Sequence, residues 1–133
     1  MTVLVPGLTA EKEITVSDAY TAKHLSSGNV AVLATPAMIM LMEQAALDAV
    51  DPLLPPEERT VGTYVEVRHL AATPLGLSVR VRAELLEVDG RRLRFRVEAF
   101  DEREKVGEGH HERMVIRLDR FEQKLKEKRA GAG

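Results

Sequence analysis

The longest apolar stretch of the chain runs from Val30 to Leu47 and reads VAVLATPAMIMLMEQAAL, with Glu43 as its only charged residue. A segment of this length that is apolar on every side is typical of a buried α-helix. Thr35 and Pro36 mark its start, because threonine is a good N-cap and proline suits the first helical position. The pattern predicts a helix from about Thr35 to Val50, with Thr35 as the N-cap.

The second half of the chain alternates between apolar and polar residues, which is the pattern of half-buried β-strands. The alternation is clearest at 77–88 and 91–100, and Asp89-Gly90 between them is a strong signal for a tight hairpin. The other predicted elements are a strand at 10–16, a loop or short helical turn at 17–30, an ordered proline-rich turn at 51–60, strands at 61–70 and 105–118, and a charged C-terminal helix and tail at 119–133.

This order of elements predicts an α+β fold, in which one long helix packs on an antiparallel sheet whose last four strands form a meander. The length of 133 residues predicts a single domain over residues 1–133. A helix that is apolar all round needs more cover than one face of a small sheet provides. We therefore expect a homodimer or a higher homo-oligomer.

Composition and charge narrow the function. The net charge of −2, with both signs interspersed, gives no basic surface for nucleic acid. No uninterrupted apolar run is long enough to span a membrane, and the N-terminus lacks the pattern of a signal peptide, so we expect a cytoplasmic protein without membrane association. The absence of cysteine excludes disulfides and thiol nucleophiles. No metal site is expected, because His110 and His111 would point to opposite faces of a strand.

Glu43 is the first candidate for chemistry. Its neighbours at helical spacing are all apolar: Ile39, Met40, Ala46 and Leu47. A buried carboxylate without a partner on its own helix is costly, so a group elsewhere must satisfy it, and such carboxylates mark functional sites. The structural alternative is a carboxylate at the margin of the helix that reaches water.

Thr35 and His69 are the next candidates. Thr35 lies where free helix amides stabilise a developing anion, although a capping role would also explain it completely. On the strand at 61–70, alternation turns His69 towards the apolar layer, either as a core histidine or as a partner for Glu43. The residues predicted to share its face are Val61, Thr63, Val65 and Val67.

Arg113 is a further candidate, on the last predicted strand. By alternation it shares a face with His111 and Val115, and the alternative is a solvated strand arginine. Geometry limits what the helix residues can do together. Thr35 and Glu43 are separated by roughly 12 Å along the helix axis, so they can contact opposite sides of one substrate but not each other.

Three stretches resemble a known family: VLATPAMIMLMEQA, LLPPEERTVGTYVEVRHLAATPLGLSVRVRAELLEVDGRRL and GEGHHERMVIRLDRF. From about Val32 to Phe121 the chain resembles the hotdog-fold acyl-CoA thioesterases, and within them the fluoroacetyl-CoA thioesterase group. The resemblance implies a hotdog fold, with an antiparallel sheet wrapped around a long helix, and dimers with active sites between subunits. It also implies hydrolysis of an acyl-CoA thioester to the free acid and CoA, without a metal or cofactor.

Carried over by position, the resemblance implies catalytic roles for Thr35, Glu43 and His69. It implies substrate-binding roles for Gly62, in the segment VGT, and for Arg113, in the segment HERMVI. All five residue types that the family uses are present.

The chain departs from the fluoroacetyl-specific enzyme just before the helix. That enzyme carries phenylalanines there that form a lid over the acyl group, whereas Ser26 to Leu33 contains no aromatic residue. The departure leaves a short-chain acyl-CoA as the expected substrate without specifying the acyl group.

Two other functions fit a hotdog fold. One is an enoyl-thioester hydratase or dehydratase, but Asp18 and His24 are poorly placed for the Asp and His of those enzymes. The other is an acyl-CoA-binding protein without activity, which the intact set of Thr35, Glu43 and His69 disfavours.

Overall fold

The computed structural model describes residues 4–131 of the chain. Its strands are β1 (Thr9–Thr15), β2 (Glu58–His69), β3 (Ser78–Asp89), β4 (Arg92–Asp101) and β5 (Lys105–Arg117), and its helices are α1 (Thr35–Val50) and α2 (Leu118–Gly131). Single turns of 3-10 helix lie at Asp18–Tyr20 and Asp51–Leu53. The long helix has the predicted bounds, and each strand lies within three residues of its predicted position. Helix α2 continues to Gly131, and residues 132–133 lie outside the described range.

The strands form one antiparallel sheet in the order β1-β3-β4-β5-β2. The predicted hairpin is present, with Gly90 at a φ of 61° in the turn between β3 and β4. The prediction of a four-strand meander is wrong at β2, which pairs with β5 and not with β3. Because β1 occupies the other edge of β3, the free edge of β5 is the place left for β2.

Helix α1 packs on the inner face of this sheet, mainly against β1 and β3. Its buried residues are Ala37, Met38, Leu41, Met42, Ala45, Ala46, Ala49 and Val50. They meet the alternating inward residues of β3 and β4, which are Val79, Val81, Ala83, Leu85, Leu93, Phe95, Val97 and Ala99. The α+β architecture expected from the sequence is therefore confirmed. Helix α2 contributes no buried residue to this core.

The described chain leaves part of α1 and the edge of β2 uncovered. On α1, Met40 is 39% exposed and Leu47 is 38% exposed. On β2, which is an edge strand of the sheet, Tyr64 is 46% exposed and Val65 is 40% exposed. One sheet face does not cover the helix, as the sequence led us to expect.

Strand β2 changes face at a β-bulge. Gly62 pairs with Arg113 and Tyr64 pairs with Glu112, so Thr63 is an extra residue without a partner on β5. Before the bulge, Thr60 is buried and Gly62 faces α1. After it, the inward positions are Val67, which packs on the core, and His69. The predicted face is therefore wrong for Val61 and Thr63, because one inserted residue reverses the alternation.

Two glycines of β5 allow β2 and α1 to approach closely. A Cβ atom on Gly109 would overlap the backbone carbonyl of Glu66 and lie 2.7 Å from the Cα of Val67. A Cβ atom on Gly107 would instead overlap the side chain of Met38, with its Cε at 3.0 Å. Gly107 is also the register partner of His69. The pair of glycines therefore brings the end of β2 close to the start of α1.

We expect Gly109→Ala to lower the free energy of unfolding by about 3 kcal/mol, at the upper end of overpacking effects, because the new methyl group meets rigid backbone. Gly107→Ala is the matched control and should cost less, because the flexible side chain of Met38 can move. Urea denaturation of both variants measures the difference. Equal losses of stability would contradict this account of the close approach.

Candidate active site

Thr35 lies at the first helical position of α1 and contacts β2. The N-cap is Ala34, and no side chain caps the helix, so the predicted capping role of Thr35 is wrong. Its hydroxyl Oγ1 instead forms a hydrogen bond with Nδ1 of His69, at 2.7 Å. The bond joins the start of α1 to the end of β2, so the two candidates share one site.

His69 is half-buried, and burial lowers the pKa of its imidazole from the ordinary value. Near neutral pH the ring is therefore uncharged, with one donor and one acceptor nitrogen. Nδ1 is bonded to Thr35, but Nε2 is buried and has no hydrogen-bond partner among residues 4–131. A buried polar atom without a partner is unusual in a native protein and points to a group that arrives from outside the chain.

A cleft of about 460 Å³ opens beside this pair. Its other lining residues are mostly small or aliphatic: Ala22, Ser27, Gly28, Val30, Val32, Leu33, Leu70, Ala71 and Ala72. Phe, Tyr and Trp are absent from this described lining. The free amides of the first turn of α1 lie at the same end of the helix as Thr35, where they favour negative charge.

Glu43 is half-buried and lies in a different cleft, of about 260 Å³, against Gly62. A Cβ atom on Gly62 would be 2.8 Å from Oε2 of Glu43, so a larger residue here would force the carboxylate to move. Among the described residues, Glu43 has neither a hydrogen bond nor an ion pair. The hypothesis that His69 pairs with Glu43 is wrong within one chain, because His69 bonds to Thr35, two helical turns away.

Arg113 is buried beneath this second cleft, so the alternative of a solvated strand arginine is wrong. Its Nε donates to Oγ1 of Thr60 at 2.8 Å, and its Nη2 donates to the Thr60 carbonyl at 3.1 Å. Thr60 in turn donates its hydroxyl and its backbone amide to the carboxylate of Asp51. Burial lowers the pKa of the Arg113 guanidinium, and the negative charges of Asp51 and Glu43 oppose that shift.

His111 is buried next to Arg113 on the same face of β5. Its Nε2 lies 3.2 Å from Nη1 of Arg113, and its Nδ1 lies 2.7 Å from the Tyr64 carbonyl. Burial is the main cause of its lowered pKa, and the Tyr64 carbonyl and Glu43 partly offset it. The imidazole is therefore neutral near neutral pH.

Two other kinds of feature, a metal centre and a membrane-spanning helix, are not found among residues 4–131. Within residues 4–131, no group of three or more His, Cys, Asp or Glu side chains is arranged to hold a metal ion. In the same range, no helix is long and apolar enough to cross a membrane.

Comparison with known proteins places this geometry in a family. Residues 16–119 match the family model described as fluoroacetyl-CoA-specific thioesterase. The chain belongs to this family. It is 50% identical over 97 residues to a fluoroacetyl-CoA thioesterase of Streptantibioticus cattleyicolor, a match that covers 73% of this chain and 70% of that protein.

Solved structures agree with the assignment to the fluoroacetyl-CoA thioesterase family. A structure of the fluoroacetyl-CoA thioesterase FlK superimposes with a TM-score of 0.87 at 40% identity, covering 94% of this chain and 97% of that one. A Thermus thermophilus hypothetical protein, described as a thioesterase superfamily member, gives a TM-score of 0.90 at 32% identity over the whole of both chains. The resemblance, the hotdog fold and the expectation of a thioesterase are confirmed.

Sequence reasoning did not identify three residues of the network around Arg113: His111, Thr60 and Asp51. The alternation places His111 on the same face as Arg113, but the sequence analysis assigns it no role there. The signal that points to it is its position two residues before Arg113 on one strand face, because a buried guanidinium needs acceptors from the residues beside it. Nothing in the alternation pattern marks Thr60 or Asp51.

Proposed function

We propose that this member of the thioesterase family hydrolyses short-chain acyl-CoA thioesters to the free acid and CoA, with Glu43, His69 and Thr35 at a site shared by two subunits. The observation that carries the proposal is the division of the site within one chain. Thr35 and His69 meet in one cleft, and Glu43 lies in another beside Gly62. The first cleft lacks the carboxylate of Glu43, and the second cleft lacks Thr35 and His69.

The free edge of β2 supports a pairing that joins the halves. Gly62 and His69 are seven positions apart on β2, roughly 23 Å along an extended strand. If two copies pair antiparallel through this edge, with the two-fold axis near Val65 and Glu66, Gly62 of one subunit lies near His69 of the other. The same pairing buries the exposed Tyr64 and Val65. The oligomer predicted from helix burial is then a homodimer through β2.

In this arrangement the unpartnered Nε2 of His69 faces Glu43 of the partner subunit and the substrate. Glu43 removes a proton from the attacking water, which then displaces the CoA thiolate, or attacks the thioester carbonyl itself. In the second route the C–S bond breaks, the CoA thiolate leaves, and water hydrolyses the resulting acyl anhydride. His69 orients or protonates the reacting groups, and Thr35 positions water or substrate. Amides at the start of α1 and at Gly62 stabilise the developing oxyanion.

Two further features of the proposal follow from the sequence. The reaction needs neither a metal nor a cofactor, because the carboxylate and the imidazole supply the proton transfers. The cytoplasmic location stays a prediction, consistent with a CoA thioester substrate.

Release of free CoA tests the function directly, since a hydratase would add water without releasing CoA and a binding protein would do neither.

Glu43→Gln should reduce kcat for acyl-CoA hydrolysis by about 100-fold or more, because both routes require the carboxylate. The amide has nearly the same shape, so folding and substrate binding should be retained. Thiol release measured with a colorimetric reagent gives the rate, and thermal unfolding checks the fold. Hydrolysis at the wild-type rate would remove Glu43 from the mechanism.

A purified heterodimer of one Glu43→Gln chain and one His69→Asn chain should regain about half of the wild-type activity per dimer, because one of its two sites is then intact. Asparagine at position 69 keeps a partner for Thr35 while removing Nε2. Each homodimeric variant is the control and should be nearly inactive. A heterodimer as inactive as both parents, or a monomer in sedimentation at micromolar concentration, would rule out the shared site.

We expect broad activity on short acyl-CoAs and little preference for fluoroacetyl-CoA over acetyl-CoA. The segment over the first cleft carries no aromatic side chain that could close on a small acyl group. A fixed apolar cleft discriminates by only about 1–3 kcal/mol per methylene. The ratio of kcat/KM for the two substrates measures the selectivity. A preference of several orders of magnitude for fluoroacetyl-CoA would show that another element acts as a lid.

A further inference from the structure

We propose that His111 is a positioning residue that, together with Thr63, locks the bulge of β2 and so holds Gly62 in place against Glu43. The inference rests on the proposed role of Glu43 in hydrolysis. In this role His111 does not contact the reacting atoms and affects catalysis through the backbone of β2.

The bulge removes regular strand pairing next to the proposed catalytic carboxylate. Thr63 has no register partner on β5, so the ladder is interrupted between Gly62 and Tyr64. A bulge of this kind re-aims the strand and leaves backbone groups that must find other partners. Without such partners, this part of β2 would be poorly held against β5.

Two side chains supply the missing bonds from opposite ends of the bulge. Oγ1 of Thr63 donates to the Glu112 carbonyl at 3.2 Å, and Nδ1 of His111 contacts the Tyr64 carbonyl at 2.7 Å. Both bonds join β2 to β5. The bulge is therefore held by side-chain contacts in place of the regular ladder.

The tautomer of His111 follows from its other contact. Arg113 has only donors, so its Nη1, at 3.2 Å, requires His111 Nε2 to be the acceptor. The ring proton must then be on Nδ1, where it donates to the Tyr64 carbonyl. Thr60 holds two other nitrogens of the guanidinium, and Asp51 holds Thr60. This buried chain of contacts keeps His111 a donor to the bulge.

The side chains of His111 and Glu43 both lie against Gly62. A Cβ atom on Gly62 would lie 2.8 Å from Oε2 of Glu43, 3.3 Å from Cε1 of His111 and 3.5 Å from Nη1 of Arg113. A displacement of the bulge therefore changes the distance between Gly62 and the carboxylate directly. Misplacement of a catalytic group by about 1 Å is enough to slow a reaction by roughly 100-fold.

The experiment compares His111→Asn with His111→Leu. Asparagine places an N–H group two bonds from Cβ, as Nδ1 is, whereas leucine offers no donor, and neither replaces Nε2. We expect His111→Leu to lower kcat by about 10- to 100-fold with little change in KM, because a misplacement of about 1 Å slows a reaction by roughly 100-fold. His111→Asn should recover most of that loss. Equal kcat values for the two variants would overturn the proposal.

Amide hydrogen exchange gives a readout that does not need activity. Exchange at Gly62 to Val65 should be faster in His111→Leu than in His111→Asn, while the pairing of β1 with β3 stays protected in both. Unchanged exchange at the bulge in His111→Leu would overturn the lock even if activity fell. If the wild-type protein released no CoA, the proposed function would be wrong. The exchange comparison between the two variants would still test the lock.

A second pair of variants covers the case in which His111→Leu does not fold. Thr63 is exposed, so Thr63→Val removes the other bond of the lock without disturbing the core. We expect Thr63→Val to lower kcat and to speed exchange at Tyr64, and Thr63→Ser, which keeps the hydroxyl, to do neither. Wild-type kcat in Thr63→Val, together with unchanged exchange, would contradict the proposal.

Discussion

The single extra residue in β2 is the constraint on which the site depends. Side chains on a strand alternate between two faces, so a regular β2 with Gly62 facing α1 would turn His69 away from it. The insertion of Thr63 reverses the alternation between them, and both residues then face the helix. The bulge interrupts the hydrogen bonds between β2 and β5. It therefore allows β2 to place Gly62 in one cleft and His69 in the other.

The buried charge of Arg113 sits at the centre of the same region. An arginine without acceptors in a protein interior is strongly destabilising, whereas one with several well-placed partners is tolerated. Thr60 and His111 provide those acceptors, and Asp51 supplies opposite charge through Thr60. Such a network contributes less to stability than an apolar core of the same volume would. Its contacts join β2 to β5 and fix which nitrogen of His111 carries the proton.

Much of the fold could be predicted from the sequence, because local patterns determine it. The apolar run and the Thr35-Pro36 pair indicate α1, and Asp89-Gly90 indicates the hairpin between β3 and β4. The position of β2 could not be predicted in this way, because the edge a strand joins depends on which edges other strands already occupy. His69 points inward, as predicted. The prediction relied on a regular alternation from Val61 onward, however, and the bulge at Thr63 interrupts that alternation.

For the candidate site, the sequence marks candidate residues but not the contacts between them. Thr35, Glu43, His69, Gly62 and Arg113 all lie in or beside the two clefts. What the sequence could not reveal is which of them meet, since no local pattern records that Thr35 bonds to His69 or that Glu43 lies against Gly62. The open edge of β2 has a further consequence for a single copy of the chain. A newly made copy presents Tyr64 and Val65 on an unpaired strand edge, a template for any extended segment that encounters it. Because the proposed dimer would use this same edge, dimer pairing and aggregation would compete for the same hydrogen-bonding groups.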